Sequence, residues 1–263
     1  MAELCKLEIE VRLPEGEKLN SLMGSVFHGL LMDIAGADVA AWLHQQSSCR
    51  PFSQCVFFDK EKNIPIWRIC TLSETGFSRI VLPLLDSIGK NFQLKQKGYS
   101  IGLVREISKE EISYQELMDS VFMAEDAPLG GELSFLTTAS FKKDNRYVLW
   151  PEIYLFFQSL INHWNEMYPA SSISGHNIDK DMADSCYITK YNLRSQKYSV
   201  NSGDIYGFGG NMRLKLSGND MTKRLMQMLL IYSQYAGIGI KTALGMGAVN
   251  FQELKSRFIK ENQ

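Results

Sequence analysis

Residues 7–13, LEIEVRL, alternate apolar and polar side chains as the two faces of a half-buried strand do. From Leu19 the period changes. Leu19, Leu22, Met23, Val26, Phe27, Leu30, Leu31 and Ile34 recur every three or four residues, the stripe of an amphipathic helix of about five turns. A short helix follows over residues 38–46, with Asp38 after Gly36 as its N-cap. Strand-like runs at 54–58 and 64–71, a helix near 77–88 and a strand near 100–107 complete the order β-α-β-β-α-β.

The same order then returns. Residues 132–141 (ELSFLTTASF) read as a strand, and the polar turn KKDNR leads to a helix over 150–167, in which Trp150, Tyr154, Phe156 and Phe157 read as packing residues. Strands are expected at 186–198 and 210–216, and a helix capped by Asn219 or Asp220 carries Met221, Leu225, Met228, Leu229, Tyr232 and Ala236. Gly237 falls where a helix C-terminal glycine belongs. A last strand is expected at 248–251. Two such units predict an α+β protein of tandem ferredoxin-like domains, each a four-stranded antiparallel sheet with two helices on one face. The break APLGG at 127–131 divides the chain into 1–126 and 127–263. No residue-level repeat links the halves, so the symmetry rests on element order alone.

Composition narrows the chemistry. With 263 residues, 45% hydrophobic and 22% charged, the chain can build a full core. No apolar run approaches the roughly 20 residues that span a bilayer, and no basic and then apolar leader opens the sequence. A cytoplasmic protein without a membrane partner is expected. Cys5, Cys49, Cys55, Cys70 and Cys186 are scattered without a C-x-x-C pair, so they read as reduced, mostly buried thiols. His28, His44, His163 and His176 lack metal-ligand spacing. Metal-free chemistry without a cofactor follows.

The net charge of −1 conceals an asymmetry. Residues 186–247 hold Lys190, Arg194, Lys197, Arg213, Lys215, Lys223, Arg224 and Lys241 against only Asp204 and Asp220. Such a region on an acidic body suits a localised anionic ligand, and a solvated basic face is the other reading. Within it, YITKYNLRSQKYSV alternates so that Lys190, Asn192 and Arg194 share one strand face and Tyr187 and Tyr191 the other. The cations are expected to meet phosphate while those tyrosines pack inward.

Residues 237–250, GIGIKTALGMGAVN, place four glycines around one Lys-Thr pair. A P-loop needs G-x-x-x-x-G-K-[ST] between a strand and a helix, whereas this stretch runs from helix to strand with Ile240 before Lys241. It instead resembles the glycine-rich loop of the CRISPR-associated RAMP superfamily, and most of all that of its repeat-RNA-processing endoribonuclease. FHGLLMDIAGADVAAWLHQQSSCRPFSQ, residues 27–54, is similar to that family's first-helix segment, including the LH and the following PF.

The resemblance implies metal-independent cutting of a CRISPR precursor transcript within its repeats. The ribose 2′-OH attacks the adjacent phosphate, leaving a 2′,3′-cyclic phosphate. By the same resemblance His44 stands at a catalytic histidine's position and Arg50 at that of a basic residue. Met32 occupies the place of a first-helix tyrosine. His28, one turn before Met32, is expected to replace it, so His28 and His44 form an acid-base pair with Arg50 stabilising charge. Lys190, Arg194, Lys197, Lys241 and Thr242, with the amides around Gly237, Gly239, Gly245 and Gly247, are expected to bind RNA. CRISPR repeat RNA is the implied partner, with effector-complex subunits and a second copy of the chain as further candidates. A non-catalytic RNA-binding RAMP subunit is the rival reading, since it shares the fold and loop without needing His28 or His44.

Overall fold

The computed structural model describes residues 3–45, 49–200 and 203–254; for residues 44 and 45 only the backbone is described. The elements run β1 (Leu4–Arg12), α1 (Gly24–Ala35), α2 (Ala37–Gln45), β2 (Phe52–Asp59) and β3 (Ile64–Leu72). A helical stretch follows as α3 (Glu74–Gly76), a π-helical turn (Phe77–Val81) and α4 (Leu82–Leu85), then β4 (Asn91–Leu94), β5 (Tyr99–Ile112) and α5 (Tyr114–Phe122). The second half contains β6 (Gly130–Ala139), β7 (Phe141–Lys143), β8 (Arg146–Val148), α6 (Ile153–Met167), α7 (Ile178–Asp184), β9 (Cys186–Val200), β10 (Gly203–Leu216), α8 (Asp220–Ala236) and β11 (Val249–Glu253).

Two antiparallel sheets organise this mixed α+β protein. The first has the order β2-β3-β1-β5-β4 and the second β11-β6-β10-β9, with β7-β8 a separate hairpin. On one face of the first sheet, Leu7, Ile9 and Val11 pack with Phe27, Leu30 and Leu31 of α1, Trp67 of β3 and Ile80. Burying that apolar stripe is what makes α1 a helix of this sheet.

The opposite face is not solvated, contrary to what the alternation in β1 suggests. Lys6, Glu8 and Arg68 are all buried there. Leu4, Cys70 and Leu72 of that face join the core of the second half, with Phe156, Trp164 and Tyr232. Polar groups buried in this way need partners. Arg68 Nη2 meets Glu8 at 2.6 Å, and its Nη1 donates to Asn250 Oδ1 of β11 at 2.8 Å. Lys6 pairs with Glu110 at 2.9 Å. The hydroxyls of Ser53 and Tyr168 donate to the carbonyls of Tyr235 and Leu72, tying the halves further.

Several details differ from the expectations. The first helix is shorter, with a 3-10 turn at Ser21–Met23 before α1. α1 and α2 meet at about 120° across Gly36, and Asp38 lies inside the first turn of α2 rather than capping it. β10 begins seven residues early, at Gly203, because a strand tolerates Gly207, Gly209 and Gly210 when neighbours approach this closely. β4, the β7-β8 hairpin, α5 and α7 were not anticipated. For α5 the signal was present: Ser113 and Glu116 form a capping box. Asn219 caps α8 by accepting from the Thr222 amide, as expected, while Met221 is exposed rather than packed. The five cysteines form no disulfide among the described residues, and burial pushes Cys5, Cys55 and Cys186 up to about 12. Among the described residues no single helix is long and apolar enough to cross a membrane.

Candidate active site

Phe27, Leu30 and Leu31 fix the rotation of α1 on the first sheet, and this sets the neighbouring His28 at the edge of the buried stripe. His28 is half-buried and lies parallel to the Phe52 ring, with centroids 5.9 Å apart. The glycine-rich segment reaches the same place from the other end of the chain. After α8 it folds back on itself through Ile238 N–H to Gly247 O and Gly247 N–H to Thr138 O, both at 2.8 Å. Its 3-10 turn, Thr242–Leu244, then packs against β2 and α1.

A buried network locks that turn in place. The Ala243 carbonyl accepts from His28 Nδ1 and from Gln54 Nε2, each at 3.1 Å. Gln54 Nε2 also donates to Gly24 O at 2.8 Å, while its Oε1 accepts the Trp67 indole N–H at 2.9 Å. Tyr198 Oη, wholly buried, donates to Leu244 O at 2.7 Å. Gly24 and Gly245 let the two backbones touch: a Cβ on Gly24 would lie 2.5 Å from Leu244 O and 2.8 Å from Gly245 Cα. The chain spends its glycines here on packing the loop against α1.

This network dictates the state of His28. A carbonyl only accepts, so Nδ1 must carry the hydrogen and the neutral ring presents its lone pair at Nε2. Burial depresses the His28 pKa and the charge of Arg50 lowers it further, against the opposing pull of Ala243 O. Arg50 is half-buried, and its Nη1 donates to the Leu43 carbonyl at the end of α2. His44 has its backbone in the last turn of α2, and its side chain lies outside the described residues. His28, Arg50 and the loop are thus gathered from three parts of the sequence.

Other expected contacts fall differently. Gly237, Gly239, Gly245, Gly247 and Thr242 are buried. The amides of Gly237, Gly239, Gly245 and Gly247 donate to Ser233 O, Ser159 Oγ, Thr242 O and Thr138 O, so they are not free donors for a nucleic acid. Only Lys241 of this group is exposed. Lys190, Arg194 and Lys197 are exposed on β9, and Lys197 pairs with Asp204 at 3.1 Å. Tyr187 and Tyr191 do not pack inward, being 55% and 58% exposed. The reason is that β9 is an edge strand, and only Tyr198 of its tyrosines reaches the buried layer. Trp150, expected in the core, is 55% exposed because α6 begins only at Ile153. Gln54, Tyr198 and Gly24 were missed as site residues; a glutamine inside the apolar run QCVFF was the available signal. A cleft of about 750 Å³, lined by Arg12, Lys18 and Phe58 among others, shares no residue with this site.

The profile of the family described as CRISPR-associated endoribonuclease Cas6 matches residues 133–249. A CRISPR-associated endoribonuclease Cas6 of Streptococcus thermophilus is 28% identical over 233 residues, covering 87% of this chain and 91% of that relative. One from Mycobacterium tuberculosis is 26% identical over 257 residues, covering 95% of this chain and 78% of that relative. Among solved structures, a Cas6 product complex superposes with a TM-score of 0.71 at 22% identity, covering 96% of this chain and 100% of that one. Thermus thermophilus Cas6 gives 0.69 at 18% identity, covering 96% and 99%.

Proposed function

We propose that the chain is a member of the family described as CRISPR-associated endoribonuclease Cas6, to which it is similar, and that it cuts CRISPR repeat RNA in the following way. The two halves, 1–126 and 127–263, are tandem ferredoxin-like units. What supports this is that the strand orders β2-β3-β1-β5 and β11-β6-β10-β9 are the same arrangement met twice, with β4 added to the first.

The reaction needs a base at the 2′-OH and an acid at the 5′ oxygen. His28 is the base: its Nε2 takes the 2′-OH proton as the 2′-oxygen bonds to phosphorus. The P–O5′ bond breaks, and His44 gives the departing oxygen its proton. Arg50 balances charge on the pentavalent phosphorus. A 2′,3′-cyclic phosphate and a 5′-OH result. The observation that carries this assignment is the hydrogen bond from His28 Nδ1 to Ala243 O, which leaves Nε2 as the basic nitrogen of a neutral ring. Gln54 and Tyr198 act through the loop as positioning residues. Lys190, Arg194, Lys197 and Lys241 contact RNA phosphates, Lys197 less strongly because Asp204 competes for it.

Single-turnover cleavage of repeat RNA from the protein's own locus tests this account. His28→Ala and His44→Ala should each slow the cut roughly 10²- to 10⁴-fold with little change in affinity. A 2′-deoxy nucleotide upstream of the cut should abolish cleavage, and EDTA should not. Near-parental rates for both variants would place the acid-base groups elsewhere, and a parent that binds repeat RNA without cutting it would instead favour a subunit that only holds RNA.

A further inference from the structure

Residues 141–150 form a feature that the cleavage site does not use. β7 and β8 are joined through Asp144 and Asn145, whose φ angles of 48° and 60° make a tight two-residue hairpin turn. The hairpin stands out from the body: Lys142, Lys143, Arg146 and Tyr147 are all exposed. Just beyond it, Trp150 meets Tyr191 of β9 edge to face, with ring centroids 5.9 Å apart and planes at 88°. Both residues are more than half exposed, so each keeps ring surface open to solvent outside their mutual contact. The Lys143–Glu152 ion pair, at 3.1 Å, ties the turn end of the hairpin to the start of α6 across the segment carrying Trp150.

The hairpin is also continuous with the candidate active site. A cleft of about 200 Å³ lies between them, with Lys142 on one wall and Gly239, Ile240 and Cys49 on another. Cys49 adjoins Arg50, and Ile240 adjoins Lys241. Lys142 and the chain neighbours of Arg50 and Lys241 thus line one cleft.

Resting on the reading of this chain as a repeat-RNA nuclease, we propose that Trp150 and Tyr191 form a stacking platform for unpaired nucleotides of the substrate outside the cut, with Lys142, Lys143 and Arg146 holding their phosphates. Open aromatic faces beside cations are what an unstructured RNA strand needs, since every base offers a π-face and every linkage a negative charge. Charge decides against an apolar protein partner: the segment FKKDNRYV carries three cations and one acid.

Stacking and phosphate contact leave different signatures. Trp150→Ala and Tyr191→Ala should each weaken binding of the locus's repeat RNA by roughly 5- to 100-fold. They should leave the slope of log K against log salt unchanged, because no counterion is released at a stacked base. Trp150→Phe should retain most affinity, and its lost emission should identify the tryptophan fluorescence that RNA quenches in the parent. Lys143→Ala and Arg146→Ala should instead reduce that slope by about 0.7 each. Melting temperatures of the tryptophan and tyrosine variants should match the parent. Parental affinity in both alanine variants, with His28→Ala still slowing the cut, overturns the platform alone. A dimer that Trp150→Ala dissociates while RNA affinity stays intact also overturns it, assigning the surface to self-association. A parent protein that neither binds nor cuts repeat RNA overturns the nuclease reading itself.

Discussion

Gly24 and Gly29 share α1, yet replacing each by alanine should move stability in opposite directions. At Gly29 a Cβ meets nothing within 4 Å. Gly29→Ala therefore gains only helix propensity, about 0.5–1 kcal/mol, which raises Tm by about 2 °C in a domain of this size. Gly24 has helical backbone, φ −55°, so the same gain applies there. Against it stand contacts of 2.3 Å to Tyr198 Oη, 2.5 Å to Leu244 O and 2.8 Å to Gly245 Cα. Two of those three atoms are backbone and cannot swing aside. Overpacking of this kind costs about 1–3 kcal/mol, so Gly24→Ala should be net destabilising by about 1–2 kcal/mol. The loop should also retreat, taking the Ala243 carbonyl from His28 Nδ1 and releasing the ring tautomer. Urea melts and single-turnover cleavage of the two variants read both effects. Tyr198→Phe in the Gly24→Ala background should restore little, since it relieves only the hydroxyl contact. A Gly24→Ala protein as stable and as active as Gly29→Ala would refute the idea that loop and helix are in backbone contact.

Three further outcomes follow from buried charge. Glu8→Gln removes the carboxylate facing Arg68 beneath the second half, and denaturant unfolding should show a loss of about 3 kcal/mol; a loss below about 1 kcal/mol would mean that water reaches the pair. Because the His28 pKa lies below its ordinary 6.5, the basic form persists into mild acid. The cleavage rate should rise with pH through a midpoint under 6.5 and fall again once His44, the acid, loses its proton, and a single-turnover pH profile whose rising limb has a higher midpoint would exclude His28 as the base. His163 is pushed down to about 4 by burial. Between 6.5 and 4 the unfolded chain binds a proton there that the folded chain refuses, so stability should fall with decreasing pH across that window by at most about 1.4 kcal/mol per unit. His163→Gln should flatten that dependence, as equilibrium melts across the window would report.

What the sequence determined by itself was local and periodic. The three- and four-residue recurrence from Leu19 to Ile34 gave the helix that packs on the first sheet, and Asn219 and Gly237 marked the ends of α8. These signals survive because capping and amphipathic burial act within a few residues. His28 could be picked out as a candidate because it lies one helical turn before Met32, on the less apolar face of that helix. Tertiary structure alone decided the remainder. Glu8 and Lys6 look like the wet face of a strand, and they are buried because the second half covers that face. Tyr191 and Trp150 look like core, and they are exposed because β9 ends its sheet and α6 starts late. The state of His28 was equally out of reach, for it depends on a carbonyl 215 residues away in sequence. Periodicity reports how a segment divides its own faces, whereas what covers each face is settled by residues that the segment never sees until the chain has closed on itself.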